Sequence, residues 1–138
     1  MAEQREGDVH VGEEKIATEA EEQTALFEWA RLAAGRYPEL QLMFHIPNGG
    51  SRNRIEAMHL KQQGVRAGVP DICLPVPRGK FGALYIEMKR RKGGRLEESQ
   101  RRWIDVLNRC GNMAVVCHGA DEARTAILDY LRNGIPKL

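Results

Sequence analysis

No apolar run in this chain approaches the roughly 20 residues that a membrane-spanning helix needs. The N-terminus carries no apolar segment of the kind that forms the core of a secretory signal. A cytoplasmic protein with no membrane partner is the expectation. Cysteine is scarce as well: Cys73, Cys110 and Cys117 are odd in number, and no CxxC or CxxH cluster occurs among them. That argues against a disulfide scaffold and a thiolate zinc site. Cys73 and Cys117 fall in apolar, strand-like runs and read as small buried hydrophobes. Internal repeats and extended low-complexity segments are also lacking.

What is there suits one folded unit. A length of 138 residues allows a single sizeable core, and the 42% apolar and 29% charged fractions are ordinary for a globular protein. The net charge of +2 hides an asymmetry, because residues 1–30 carry −7 and residues 31–138 carry +9. A basic body behind an acidic start fits a phosphate backbone, although charge clusters are often only solvated faces. Residues 1–12 are polar and aperiodic and read as a flexible arm, which leaves residues 13–138 as one domain.

Along that domain, Thr18 and Glu21 have the spacing of a capping box. Leu26, Trp29, Ala30 and Ala33 share one face of the helix that follows, with Gly35 as its stop. Leu40–Ile46 reads as a buried strand closed by the turn-forming run Pro47-Asn48-Gly49-Gly50. A helix over Arg54–Gln63 ends at Gly64. Asp71–Val76 and Ala83–Lys89 read as strands joined by the loop Pro77–Gly82. The basic loop Arg90–Arg95 leads to a helix over Glu97–Cys110, stopped by Gly111, then to a strand at Asn112–Cys117 and a last helix at Ala120–Asn133. The order α-β-α-β-β-α-β-α predicts an α/β fold, a mixed β-sheet flanked by helices on both faces.

Two strands carry the chemistry. Leu84, Ile86 and Met88 alternate with Tyr85, Glu87 and Lys89, so Glu87 and Lys89 share a face. If the loop centres on Gly79, antiparallel pairing sets Asp71 opposite Glu87. Two carboxylates and an amine then converge at one end of a hairpin. Hard divalent cations such as Mg²⁺ take oxygen ligands and retain waters, so this set suits one bound together with a substrate phosphate. Such an ion lowers the pKa of its water and offsets charge at phosphorus, and a neighbouring lysine can orient or deprotonate that water. Two carboxylates so close are unfavourable without a cation. An E-x-K triplet on a strand is otherwise often just a solvated ion-pair face.

Four runs occur in order: His45-Ile46-Pro47-Asn48-Gly49-Gly50; Gly64-Val65-Arg66-Ala67-Gly68-Val69-Pro70-Asp71; Ile86-Glu87-Met88-Lys89; and Gln100 with Trp103. Together they closely resemble the VRR-NUC domain of the PD-(D/E)xK nuclease superfamily, over about Thr18 to Cys117. The chain looks like a stand-alone member of the phage and bacterial sort, without the accessory domains of the Fanconi-associated nuclease. The resemblance implies a restriction-endonuclease-like core and a DNA endonuclease using Mg²⁺ or Mn²⁺. It implies Asp71, Glu87 and the main-chain carbonyl of Met88 as metal ligands, with Lys89 in catalysis. It also implies an acidic residue from the first helix; of Glu19, Glu21 and Glu22, the choice falls on Glu22, one turn before Leu26 on the core-facing stripe. Gln100 extends the stripe of Trp103, Ile104 and Leu107 back by one turn, where a polar residue suits a site role.

Stand-alone members resemble Holliday-junction resolvases, so a four-way DNA junction cut by a homodimer is the expected substrate and assembly. Flap, nicked or duplex-end cleavage is the alternative enzyme, and a catalytically silent DNA-binding module the alternative class. Asn48, Gly49 and Gly50 can offer backbone amides to a phosphate, and Arg52, Arg54, Lys61 and Arg66 follow on the same segment. Arg90 and Arg91 belong to Lys89–Arg102, which carries +5 beside the proposed site. His45, His59 and His118 lack ligand spacing and read as packed or surface residues. Trp29 and Trp103 read as core residues rather than platforms for bases.

Overall fold

Thr18 opens the first helix as its spacing from Glu21 predicts: its hydroxyl accepts the Glu21 amide at 3.1 Å, and the Glu21 carboxylate accepts the Thr18 amide at 2.8 Å. These bonds satisfy amides that the helix start leaves without partners and hold the Glu21 carboxyl below its usual pKa. The computed structural model describes residues 15–47 and 53–133. The expected arm over residues 1–12, the Asn48, Gly49 and Gly50 turn, and Arg52 therefore lie outside the described residues. Helix α1 spans Glu19–Ala33 and buries Glu22, Leu26 and Ala30, one residue per turn. Gly35 does not act as a left-handed stop. Ala34 caps the helix in right-handed geometry, and the amides of Arg36 and Tyr37 both donate to the Ala33 carbonyl.

The strand expected over Leu40–Ile46 is corrected. Pro38–Leu42 forms a short 3₁₀ turn, and only Phe44–His45 pair as a strand, β1. Pro38 has the fixed φ that suits a first helical position, and the chain tightens there. Leu40 and Met43 go into the core, whereas Leu42 and Phe44 are exposed. The run is thus not buried on two faces, which is what an apolar strand requires. Helix α2, Arg54–Gln62, begins at Asn53, whose side-chain oxygen accepts the amides of Ile55 and Glu56. Gly64 follows at φ 104°, and α2 buries none of its residues.

Strands β2 (Ile72–Leu74) and β3 (Leu84–Lys89) form the expected hairpin. Its pairs are Ile72 with Ile86, Cys73 with Tyr85 and Leu74 with Leu84, each equidistant from position 79. Helix α3 (Glu98–Arg109) crosses over to β4 (Met113–His118), which runs parallel to β3 from Leu84–Met113 to Lys89–His118. Helix α4, Ala120–Asn133, closes the described chain. The result is a four-stranded mixed sheet in the order β1-β2-β3-β4, flanked by helices as the element order predicts. Among the described residues no helix is long and apolar enough to cross a membrane.

Helices α1 and α4 pack on each other and against the central strands. Leu26, Ile127 and Tyr130 meet Leu84, Ile86 and Met88 in one core with the side chains 0–1% exposed. Burying each such aliphatic side chain contributes about 1.5–3 kcal/mol. The Tyr130 hydroxyl, fully inside, donates to the Val76 carbonyl at 2.6 Å, so the core holds no unmet phenol. Cys73 and Cys117 are buried free thiols, as expected, and burial pushes the Cys117 thiol up to about 12.

Candidate active site

Glu87 and Lys89 point to the face of β3 opposite the apolar core, yet they are only 1% and 5% exposed. The first turn of α3 closes over them. Its capping box joins Glu97 and Gln100, whose side-chain oxygen accepts the Glu97 amide at 2.8 Å. That same oxygen accepts from the Lys89 ammonium at 3.0 Å, and the Gln100 amide nitrogen donates to Glu87 Oε2 at 3.0 Å. Gln100 therefore starts the helix and ties it to both ends of the E-x-K triplet. Lys89 Nζ also lies 3.6 Å from Glu87 Oε2.

Asp71 stands just before β2, where the register carries it opposite Glu87. Its carboxylate Oδ2 accepts the Met88 amide at 2.7 Å. Its main-chain carbonyl accepts the Ile46 amide at 2.7 Å and the His45 ring Nδ1–H at 2.8 Å. The edge strand β1, short as it is, thus fixes the peptide that aims Asp71. Further back, Gly68 at φ 91° lies so close to α3 that an added Cβ would sit 2.7 Å from the Ser99 carbonyl carbon. Only glycine fits both the conformation and the approach.

The pair is electrostatically loaded. Burial first, then the charge of Asp71, push the Glu87 carboxyl up to about 8, with Lys89 opposing and Glu19 adding to the rise. Glu87 Oε1 is buried and has no hydrogen-bond partner. An orphaned carboxylate oxygen beside a second carboxylate is a donor set that fits a hard divalent cation. Among the described residues no group of three or more Asp, Glu, His or Cys side chains converges as a metal site. The side-chain oxygens available are those of Asp71 and Glu87.

The other site residues fall in different places. Glu22 is buried, but its Oε1 accepts the Ala120 amide at the start of α4 (2.9 Å) and its Oε2 pairs with Arg91 Nε at 3.2 Å. Glu21 is occupied with Thr18, while Glu19 is the first-helix carboxylate whose charge reaches Glu87. Arg54, Lys61 and Arg66 are exposed on α2 and the turn after it, and Arg90 and Arg91 on the loop after β3. Sequence reasoning passed over His45, whose contact with Asp71 depends on a strand pairing that no local pattern reveals. Trp103 is half-buried rather than core, and its indole N–H donates to the Ala67 carbonyl at 3.1 Å.

The VRR-NUC domain profile matches residues 11–121, most of the chain. The chain belongs to the VRR-NUC family. A solved structure of a VRR_NUC domain protein has 28% sequence identity to it and superposes with a TM-score of 0.73, covering 90% of this chain and 99% of the other. No curated protein matches. VRR-NUC membership carries a nuclease-type, DNA-binding function, and the mixed sheet with its flanking helices is the fold of that family.

Proposed function

We propose that this VRR-NUC protein is a divalent-cation-dependent DNA endonuclease working through Asp71, Glu87, Lys89 and Gln100. The observation that carries the reading is the buried, partnerless Glu87 Oε1 beside Asp71, with Lys89 held alongside by Gln100. Asp71, Glu87 and the Met88 main-chain carbonyl would hold Mg²⁺ or Mn²⁺, and Glu19 is the first-helix carboxylate best placed by charge to assist. When bound, the cation would polarise the phosphodiester and offset the charge that gathers at phosphorus.

The chain's own groups do the rest. Gln100 fixes the Lys89 ammonium, so that it can orient an attacking water and donate to the oxygens at phosphorus without first reorganising. Water adds across one P–O bond, leaving a phosphate on one strand end and a hydroxyl on the other. The exposed cations Arg54, Lys61, Arg66 and Arg90 follow the backbone, with an affinity that falls steeply as salt rises.

The preferred substrate in this reading is branched DNA, a four-way junction. One chain offers one site, whereas resolving a junction takes two nicks related by approximate two-fold symmetry, which a C₂ homodimer supplies. Plasmid nicking with Mn²⁺, and its loss in excess EDTA, tests the nuclease. Full activity in EDTA would refute the metal site. Light scattering and paired-nick mapping on a junction labelled strand by strand test the dimer, and a monomer that prefers a 5′ flap would overturn that part alone.

A further inference from the structure

Helix α2 stands off the core, and between it and α3 lies an open cavity of about 470 Å³. Ala57 and Leu60 of α2, Val65 and Ala67 of the following turn, and Trp103 of α3 supply apolar walls. Lys61 and Arg66 line it too, both exposed, and among the described residues neither is paired with a carboxylate. The bond from the Trp103 indole N–H to the Ala67 carbonyl holds the ring in one orientation, so a flat group can stack on it with little ordering cost. Trp103 follows Gln100 by three residues on α3, about 4.5 Å along the axis. Since Gln100 touches Glu87 and Lys89, the cavity opens one helical turn from the proposed catalytic groups.

We infer that this cavity receives one unstacked nucleobase of the strand being cut. The base lies against Trp103, and Lys61 and Arg66 hold the flanking phosphates. The inference rests on the nuclease reading and names a subsite for it. An aromatic wall with two exposed cations complements a nucleotide, which joins a π-face to anionic phosphates. The spacing to Gln100 assigns the base to a nucleotide next to the cleaved phosphate. Extruding a base is least unfavourable where it is unpaired, so the cavity favours flaps, single strands and branch points with unpaired bases over intact duplex.

The test uses the full chain in EDTA, where no cutting occurs. With Trp29→Phe, Trp103 becomes the sole indole reporter, because the chain has two tryptophans. A short oligothymidylate should quench its fluorescence saturably, and the same strand with abasic sites should quench little. Ala57→Phe, which fills the cavity from α2, should weaken oligothymidylate binding by roughly 5- to 150-fold, the range that loss of one base stack produces. If Trp29→Phe fails to fold, 2-aminopurine in the oligonucleotide reports the same stacking on the unaltered protein. Equal quenching by the abasic strand would overturn the subsite and leave only phosphate binding. Quenching that follows protein concentration without DNA would also overturn it, since a second copy would then cover the cavity. Neither result touches the nuclease reading, which stands or falls on Mn²⁺-dependent nicking.

Discussion

Both faces of β3 hide side chains from water, and they are built on opposite principles. On one, Leu84, Ile86 and Met88 are sealed by the hydrocarbon of α1 and α4. On the other, Glu87 and Lys89 are sealed by a single helical turn and one amide side chain. The first face contributes stability through area removed from water. The second opposes folding, because polar and ionisable groups lose hydration there and Glu87 Oε1 meets no hydrogen-bond partner in exchange. The strand therefore holds its chemistry at the expense of part of what its other face supplies, a division expected where function and not stability sets the residue.

Substitutions on each face should separate the two roles. Lys89→Ala should reduce Mn²⁺-dependent nicking by at least about 10²-fold, the usual range for a group acting in the transition state, while DNA binding stays near wild type. Near wild-type nicking by the folded variant would remove Lys89 from catalysis. Ile86→Ala, three residues away on the apolar face, should do the opposite. It should lower unfolding free energy in urea by about 2–5 kcal/mol while leaving turnover per folded molecule unchanged.

A pH series sharpens the contrast. Glu87 has a raised pKa in the folded chain, so its protonated form is favoured by folding. That contribution is complete below the ordinary value of 4.5 and is lost as pH rises through about 8. Metal-free protein should therefore become easier to denature from pH 5 to pH 9, and Glu87→Gln should flatten the trend. A slope unchanged in Glu87→Gln would place its origin elsewhere. The smallest effect is expected far from either face: Thr18→Ala should cost about 1 kcal/mol by removing the cap of α1, read as a shift in urea midpoint.

Much of this architecture was legible because it depends on local rules. The Thr18–Glu21 box, the Gly64 and Gly111 stops and the period-2 pattern of residues 84–89 each act within one turn or one strand. The Asp71–Glu87 pairing was legible for another reason, since a hairpin converts loop length into register. Leu40–Ile46 misled because apolar content alone does not distinguish a strand from a 3₁₀ turn, and Pro38 decided the matter. The burial of Glu87 and Lys89 was hidden, since it depends on α3 arriving from eleven residues downstream to place Gln100 between them. The destination of Glu22 was hidden likewise. It depends on α1 meeting the start of α4, a contact between residues 98 positions apart.

The contact of Gly68 with Ser99 has a consequence for how this chain can change over time. Gly68 is wedged against the first turn of α3, and three residues later Asp71 enters the site. An insertion between them would have to displace either the carboxylate or the helix carrying Gln100, so that interval is closed to length variation. At the other end of the hairpin, half-buried Arg78 and Phe81 pair across Gly79 and Lys80, whose exposed tip lies away from the site. Relatives should therefore differ in length at the tip and keep a constant count from Gly68 to Asp71. Foreign peptide grafted at Gly79-Lys80 should leave nicking intact, while one extra residue at Val69 should abolish it.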